Sequence, residues 1–479
     1  MPPTESSPLL ESGSLQSQSW SRRMFQTLKG DGEPSWFQSY KFFLFGSWLN
    51  ILLVFVPLSA VAHNLQWDPA LRFTFSFVAI IPLAKLLGDA TDQMSVKLGQ
   101  TLSGLLNASF GNAVEIIVGI AALLNGELRI VQTSMLGSIL SNILLVLGCS
   151  FLAGGLMQSE GEFNLSGAQA SASLMTLSCI TLVIPAAYAS TTKAGVPNAP
   201  CPVPDDAGAC PSSGLLLISR GTAVLLLLVY CAYLVFQLRT HPHFFRQEGE
   251  TEEAEPCMST VAAASALLLV TVVIAFCAEY LVASIEETAT RYNIPKAFIG
   301  VILLPIVGNA AEHVTSVWMA MKNKYELTIG ICVGSSIQIA TFVVPLLVIV
   351  GWIVAQPLTL QFQNFETIIL FVSVLLVSLL IMDGKSNYME GMMLVTLYLV
   401  TALACKCNFI RGDEFAFIAF FSLGCSIRAF AALMQFSHRV LGSHILSSVS
   451  ERSSHSVNYE NASRGPVRDV RSYDNKPSP

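Results

Sequence analysis

Residues 111–115 read G-N-A-V-E in the middle of a long apolar segment, and the chain repeats them as G-N-A-A-E at 308–312. A carboxylate near a bilayer centre costs roughly 2.5–3.5 kcal/mol or more when nothing pairs with it, so an acid in such a setting is a functional candidate by default. The match extends outward at one constant offset of 197 residues, which carries Thr91 onto Thr288 and Gly137-Ser138 onto Gly334-Ser335 without a gap. Chance similarity between apolar segments would align apolar residues. Here the polar ones coincide, which marks an internal repeat.

The surrounding composition sets the class. Of 479 residues 53% are hydrophobic and only 12% charged, with a mean hydropathy of +0.59, well above a soluble protein of this length. The chain reads as an all-α protein that spans a membrane many times, with the lipid bilayer as its first partner. Its net charge of −6 lies largely outside the apolar segments, and nothing suggests nucleic acid. Eleven cysteines are scattered without metal-ligand spacing or a disulfide framework. No nucleophile with a positioned base is visible, so the chain is not read as an enzyme and no cofactor is expected.

At about 20 apolar residues per span, spans are predicted near 42–63, 71–88, 98–124, 130–156, 166–189, 214–238, 260–284, 296–321, 327–354, 365–382 and 387–405. That makes about eleven. Glu115 falls in the third and Glu312 in the eighth; an odd number of spans separates them, so the halves run in opposite directions. The expected order is a polar, disordered cytosolic N-terminus (1–40), a leading helix (41–64), a first half (70–238), an acidic cytosolic loop (239–258), a second half (259–405), an extra apolar segment (406–436) and a disordered polar tail (437–479). In an inverted repeat the site lies near the midplane where the halves meet. The distribution of Lys and Arg over the loops favours a cytosolic N-terminus.

Several features sit outside the spans. Glu5, Leu9 and Leu10 resemble an acidic dileucine sorting signal, with coincidence as the competing reading. Cys201 and Cys210 share a Pro- and Gly-rich loop on the far side, where either a disulfide or a free pair is consistent with the sequence. The loop with Glu248, Glu250, Glu252, Glu253 and Glu255 is either a solvated linker or an attractor of cations. An apolar stretch at 415–436, interrupted by Arg428, is either a twelfth span or an interfacial helix. The N-A-S sequon at Asn461 would report the side of the tail.

On a helix, residues three and four apart share a face, so Asn112 points with Glu115 and Asn309 with Glu312. Ser138 and Ser141, with Asn142 beside them, share a face of the fourth span, and Ser335 and Gln338 take the equivalent face of the ninth. Pro305 disturbs the turn above Val301, and Gly104, Gly111 and Gly308 loosen theirs. Freed backbone carbonyls are tolerated at membrane depth only where they line a cavity or bind something. Two carboxylates with amide, hydroxyl and backbone oxygens describe a site for a hard cation. Ca²⁺, which takes about 6–8 oxygens in flexible geometry, fits better than Mg²⁺. When the cation leaves, two like charges facing each other in a low dielectric favour taking up protons, so exchange of Ca²⁺ for H⁺ follows from the site itself. His313 is either a proton relay beside Glu312 or a structural histidine. Of the other intramembrane acids, Asp89, Asp92, Glu279, Glu286 and Glu287, a span-end role suits Glu287, and a place on the ion or proton path suits the deeper Glu279.

The segments G-N-A-V-E-I-I-V (111–118), G-S-I-L-S-N (137–142), C-A-E-Y-L-V (277–282), G-V-I-L-L-P-I-V-G-N-A-A-E-H (300–313) and G-S-S-I-Q-I (334–339) resemble the CAX family of Ca²⁺/H⁺ exchangers over about 42–405. The chain is most similar to the fungal vacuolar members. That resemblance implies eleven spans, two inverted five-helix repeats behind a leading helix, an acidic segment between them and a place in the vacuolar membrane. It also implies Glu115 and Glu312 as central cation and proton carboxylates, Asn112, Asn309, Ser138, Ser335 and Gln338 completing the site, and Glu279 and Asp92 on the cytosolic approach. Where the family often has T-E-Q, this chain has Thr91, Asp92 and Gln93. The expected activity is antiport of cytosolic Ca²⁺ against lumenal H⁺, with Mn²⁺ as a further candidate substrate; the alternatives are a sodium-coupled exchanger of the same superfamily and a passive cation channel.

Overall fold

The structure, a computed structural model, describes residues 34–191, 213–241 and 257–407. The dileucine-like signal, Cys201 and Cys210, the acidic residues of the central loop, the 415–436 segment and Asn461 lie outside the described residues. Thirteen helices are described: α1 (Trp36–Phe45), α2 (Trp48–Asn64), α3 (Pro69–Phe110), α4 (Ala113–Leu124), α5 (Leu128–Met157), α6 (Leu165–Thr191), α7 (Gly214–Thr240), α8 (Thr260–Arg291), α9 (Lys296–Gly308), α10 (Ala310–Met321), α11 (Tyr325–Ile353), α12 (Asn364–Leu380) and α13 (Tyr388–Cys407). Among the described residues the β-structure is one antiparallel pairing, β1 (Gly161–Glu162) on β2 (Lys385–Ser386), a small departure from an all-α reading.

Seven helices are long and apolar enough to cross a membrane singly, and two further pairs pass only as bent units: α1 with α2, turned by 88°, and α9 with α10, turned by 59°. The shorter α4 and α12 are apolar as well. The second and third expected spans are not separated by a loop. They share α3, whose 42 residues would reach about 63 Å if straight, twice the thickness of a bilayer core. It is not straight. Ser95 Oγ donates to Asn107 Oδ1 at 3.3 Å, twelve residues on, whereas a straight helix would part those levels by about 18 Å; α3 therefore bends sharply between them. In the second half the equivalent place holds a true break between α8 and α9, with Asn293 at φ 51°.

The halves interlock as antiparallel partners. α3 lies along α8, and α5 packs on α9, α10 and α13, α11 on α7, and α6 on α12. One end of the α3–α8 pair is closed by Arg291 on Asp68 at 2.9 Å and Arg72 on Glu287 at 3.1 Å. At the other, Gln93 Oε1 accepts from the backbone N–H groups of Cys257 and Met258 at 2.8 and 3.1 Å. These ends define an outer face, with the turns 125–127 and 292–295, and an inner face, with the turns 158–164 and 322–324. Gly137 permits a close approach between halves: any Cβ there would run into the Val301 carbonyl and the Pro305 ring, the small-residue packing that brings membrane helices together.

Four π-helical turns occur among the described residues: Ser141–Val146 in α5, Ile339–Val343 in α11, Ile299–Leu303 in α9 and Phe236–Thr240 at the end of α7. The first two are repeat-mates at the same offset, and each follows directly on the polar motif of its helix. The third precedes Pro305 and absorbs the hydrogen bond that proline cannot make.

Candidate cation and proton site

Two helix breaks build the centre. Asn112 and Asn309 leave helical geometry, at φ −108°, ψ 24° and φ −88°, ψ 17°, and a new helix starts after each. Glu115 and Glu312 then stand in the first turns of α4 and α10, at the positive ends of half-helices, where an anionic side chain is favoured. The two starts face each other across the half-to-half boundary. Gly308 shows how closely: a Cβ there would lie 2.8 Å from Glu115 Oε1, so the carboxylate of one half rests on a bare turn of the other.

The amides are oriented by cross-half hydrogen bonds. Asn112 Nδ2 donates to Gln338 Oε1 at 2.6 Å, and Ser335 Oγ donates to Asn112 Oδ1 at 3.2 Å. Asn142 Nδ2 donates to Ser335 Oγ at 2.9 Å, and Asn309 Nδ2 donates to the Ser138 carbonyl at 3.1 Å. With their nitrogens spent, Asn142 Oδ1 and Asn309 Oδ1 are buried without a partner, together with Ser141 Oγ, both carboxylate oxygens of Glu115 and Glu312 Oε2. Buried acceptors are ordinarily paired. A concentration of orphaned oxygens at the meeting point of two helix starts, with no sulfur or imidazole among them, is chemistry suited to a hard cation.

Access to this centre is one-sided. A cavity of about 530 Å³ runs from the inner face, past Asn164, Glu326 and Gln237, to Asn112, Ser335, Gln338 and Glu312. Glu115 lines a separate chamber of about 20 Å³ with Ile80, Val118, Met135, Leu281 and Leu304, room for roughly one water molecule. Ser138 lies in that chamber as well.

Of the residues named from the sequence, Glu115, Glu312, Asn112, Asn309, Ser138, Ser335 and Gln338 are brought together. The access residues are not. Asp92 and Glu279 are both absent from the cavity lining. They differ by about 19 Å in level, since α3 and α8 are antiparallel with Arg72 opposite Glu287 and Gln93 opposite Cys257. Asp92 belongs with Asp89 and its intrahelical partner Lys85 at the inner end of α3. Glu279 is exposed on α8 beside Tyr280, whose ring stacks on His63 at 4.4 Å. His313 follows Glu312 but is not among the cavity's lining residues. Glu286 and Glu287 are held by Lys296 at 3.7 Å and Arg72 at 3.1 Å, so their span-end reading matches their partners. The part of Asn142 was underestimated. It stands next to the repeated serine motif, but its mate is Ile339, so a search confined to polar residues that repeat passes over it.

Comparison with known proteins places the chain. Residues 69–239 and 262–405 match the family described as sodium/calcium exchanger protein. The vacuolar calcium ion transporter of Schizosaccharomyces pombe is 47% identical over 363 residues, covering 75% of this chain and 85% of that one. The vacuolar cation/proton exchanger 3 of Oryza sativa subsp. japonica is 39% identical over 411 residues, covering 82% and 93%. Among solved structures, native YfkE superposes with a TM-score of 0.63 at 34% identity, covering 75% of this chain and 99% of that one. The H⁺/Ca²⁺ exchanger CAX superposes with a TM-score of 0.57 at 13% identity over 81% of this chain and 94% of that one, a likeness of fold. A polytopic chain with an internal repeat, matched along both halves, belongs to the sodium/calcium exchanger protein family.

Proposed function

We propose that this protein is a secondary active antiporter that exchanges Ca²⁺ for H⁺ across the vacuolar membrane by alternating access of its inverted halves. The observation that carries the reading is the set of orphaned oxygens around Glu115 and Glu312, reached by water from one face only. Such a centre needs a positive occupant, and either a divalent cation or protons on the carboxylates supplies one. An empty pair of carboxylates would be costly to carry past the closed side, so neither ion moves without the other. Net transport is therefore obligatory exchange.

The roles follow from position. Glu115 and Glu312 bind the cation and carry the protons; Asn112, Asn309, Ser138, Ser335 and Gln338, with Asn142, hold neutral oxygens around them. The vacuolar names of the relatives from fission yeast and rice support the location, and the cation/proton activity in the rice relative's name favours protons over sodium as the counter-ion. The Lys and Arg distribution assigns the N-terminus, and with it the inner face, to the cytosol. Mn²⁺ is a competing substrate of the same oxygen set.

Radioactive Ca²⁺ uptake into vesicles of the reconstituted full chain tests the reading. An imposed proton gradient should drive accumulation with no Na⁺ present. Uptake that requires Na⁺ and ignores a proton gradient would replace it with sodium coupling. Flux at channel-like conductance that ignores pH would replace it with a passive pore.

A further inference from the structure

The repeat allows the closed route to be read from the open one. Adding or subtracting 197 residues carries the cavity residues Asn107, Gly111, Glu312, Ile331 and Ser335 onto Leu304, Gly308, Glu115, Ser134 and Ser138. All of these mates line the small chamber. Cavity and chamber are the open and shut forms of one passage, so the residues that will flank the outer mouth are the mates of those that flank the inner one.

At the mouth the correspondence reverses sign. Glu326, exposed in the first turn of α11, lines the inner mouth and accepts from the Asn164 backbone N–H at 3.0 Å; its mate is Arg129 in the first turn of α5. Two residues earlier, Lys324, which does not line the cavity, has Glu127 as its mate. The second half thus reads K-Y-E where the first reads E-L-R. In the closed outer face both members of the first-half set are engaged: Arg129 is paired with Glu366, their side chains 13% and 3% exposed, and Glu127 is 3.1 Å from Lys296.

We propose that the position shared by Glu326 and Arg129 gives the transporter unequal cation affinity at its two faces, an acid without a cationic partner among the described residues at the mouth where the cation is taken up and a charge-compensated Arg129–Glu366 pair at the mouth where it is released. This rests on divalent-cation transport through the central site. Glu326 stands nine helical residues, about 13.5 Å, from Ser335; a unit charge at that distance from a divalent ion in water-like surroundings alters its occupancy roughly threefold, and here only the inner mouth carries an uncompensated one among the described residues. Such local charges leave the overall equilibrium of exchange to the ion gradients. They set the concentration at which each face is half-saturated, and so favour loading on one side and unloading on the other under a given gradient.

The test uses the full chain in liposomes sorted by the side on which an N-terminal tag is exposed, with Ca²⁺/Ca²⁺ isotope exchange at equal pH across the membrane. Glu326→Gln should raise the half-saturating Ca²⁺ at the inner face about threefold at low salt, lose that effect at high salt and leave the outer face unchanged. Glu326→Arg, which copies the outer residue into the inner mouth, should raise it further, to about eightfold. Arg129→Gln with Glu366→Gln, made together so that no buried charge is stranded, removes no net charge and should leave the outer constant unchanged. Inner constants unmoved by both Glu326 variants, or equal constants at the two faces of the parent protein, would overturn the proposal. A parent protein with no Ca²⁺ flux under any gradient would instead remove the transport reading on which it rests.

Discussion

Glu115 and Glu312 are equivalent in sequence and unequal in surroundings. Each follows a G-N break, and each stands in the first turn of a short helix. Yet Glu312 borders a cavity of about 530 Å³ that reaches the inner face, while Glu115 lies against Gly308 in a chamber of about 20 Å³ walled by Ile80, Val118, Leu281 and Leu304. The repeated sequence therefore encodes one site with two approaches, and the fold holds one approach open at a time. What separates the two environments is chiefly the packing around two near-identical motifs.

The largest expected effect breaks the comparison at its centre. Glu115→Gln and Glu312→Gln should each abolish proton-driven Ca²⁺ uptake, a loss of at least about a hundredfold, because the cation loses one of two anionic ligands and the protons one of two carriers. The variants should still elute as folded protein. Near-normal transport in either one would mean the carboxylates are not equivalent in function. Proton competition comes next: lowering the pH at the inner face should raise the half-saturating Ca²⁺ about tenfold per unit for every proton that must leave before the cation binds, read from initial rates at fixed outer pH. A pH-independent constant would separate proton and cation sites.

Gly308→Ala sharpens the comparison from the closed side. Its methyl would press on Glu115 Oε1 at 2.8 Å, and since a mobile carboxylate can yield, the expected cost is a rise of about tenfold in half-saturating Ca²⁺ without unfolding. Thiol labelling gives a direct readout of access. In a background lacking reactive cysteines, Ser335→Cys should react readily with a hydrophilic reagent applied at the inner face, and Ser138→Cys should react slowly; equal rates would contradict one-sided access. The smallest effect is expected at the β1–β2 hairpin. There hydrogen bonding and charge from Glu160, then Glu162, keep the exposed Lys385 ammonium protonated above its ordinary range. The contribution of that raised value is complete at neutral pH and fades only as the pH rises through it, so Lys385→Met should leave uptake and melting temperature unchanged at pH 7.

Much of this arrangement was legible because a polar residue at membrane depth is rare and its repetition rarer. The offset alone links Glu115 to Glu312 and Ser138 to Ser335, and those side chains converge. Legibility failed where a residue's meaning depends on which neighbour it faces. Asp92 and Glu279 read as path residues because they are acids in apolar sequence; Glu279 is on the exposed side of α8, Asp92 lies at the inner face where α3 bends, and neither lines the cavity, which sequence spacing alone does not reveal. The continuity of α3 through 88–98 was hidden for a related reason: the polar residues there suggest a loop, whereas a helix tolerates them where it meets water. Asn142 shows the opposite failure, a site residue whose repeat-mate is apolar.

The paired π-helical turns in α5 and α11 carry a consequence for how such a helix can do two jobs. One surplus residue per turn advances the helical phase by about 100°, so the face that offers Ser138 or Ser335 to the ion need not be the face that the same helix, two turns later, presents to its packing neighbours. Excising a single residue from Ser141–Val146 would bring both faces back into phase, so that a serine aimed at the ion could be kept only by unseating the apolar contacts beyond it.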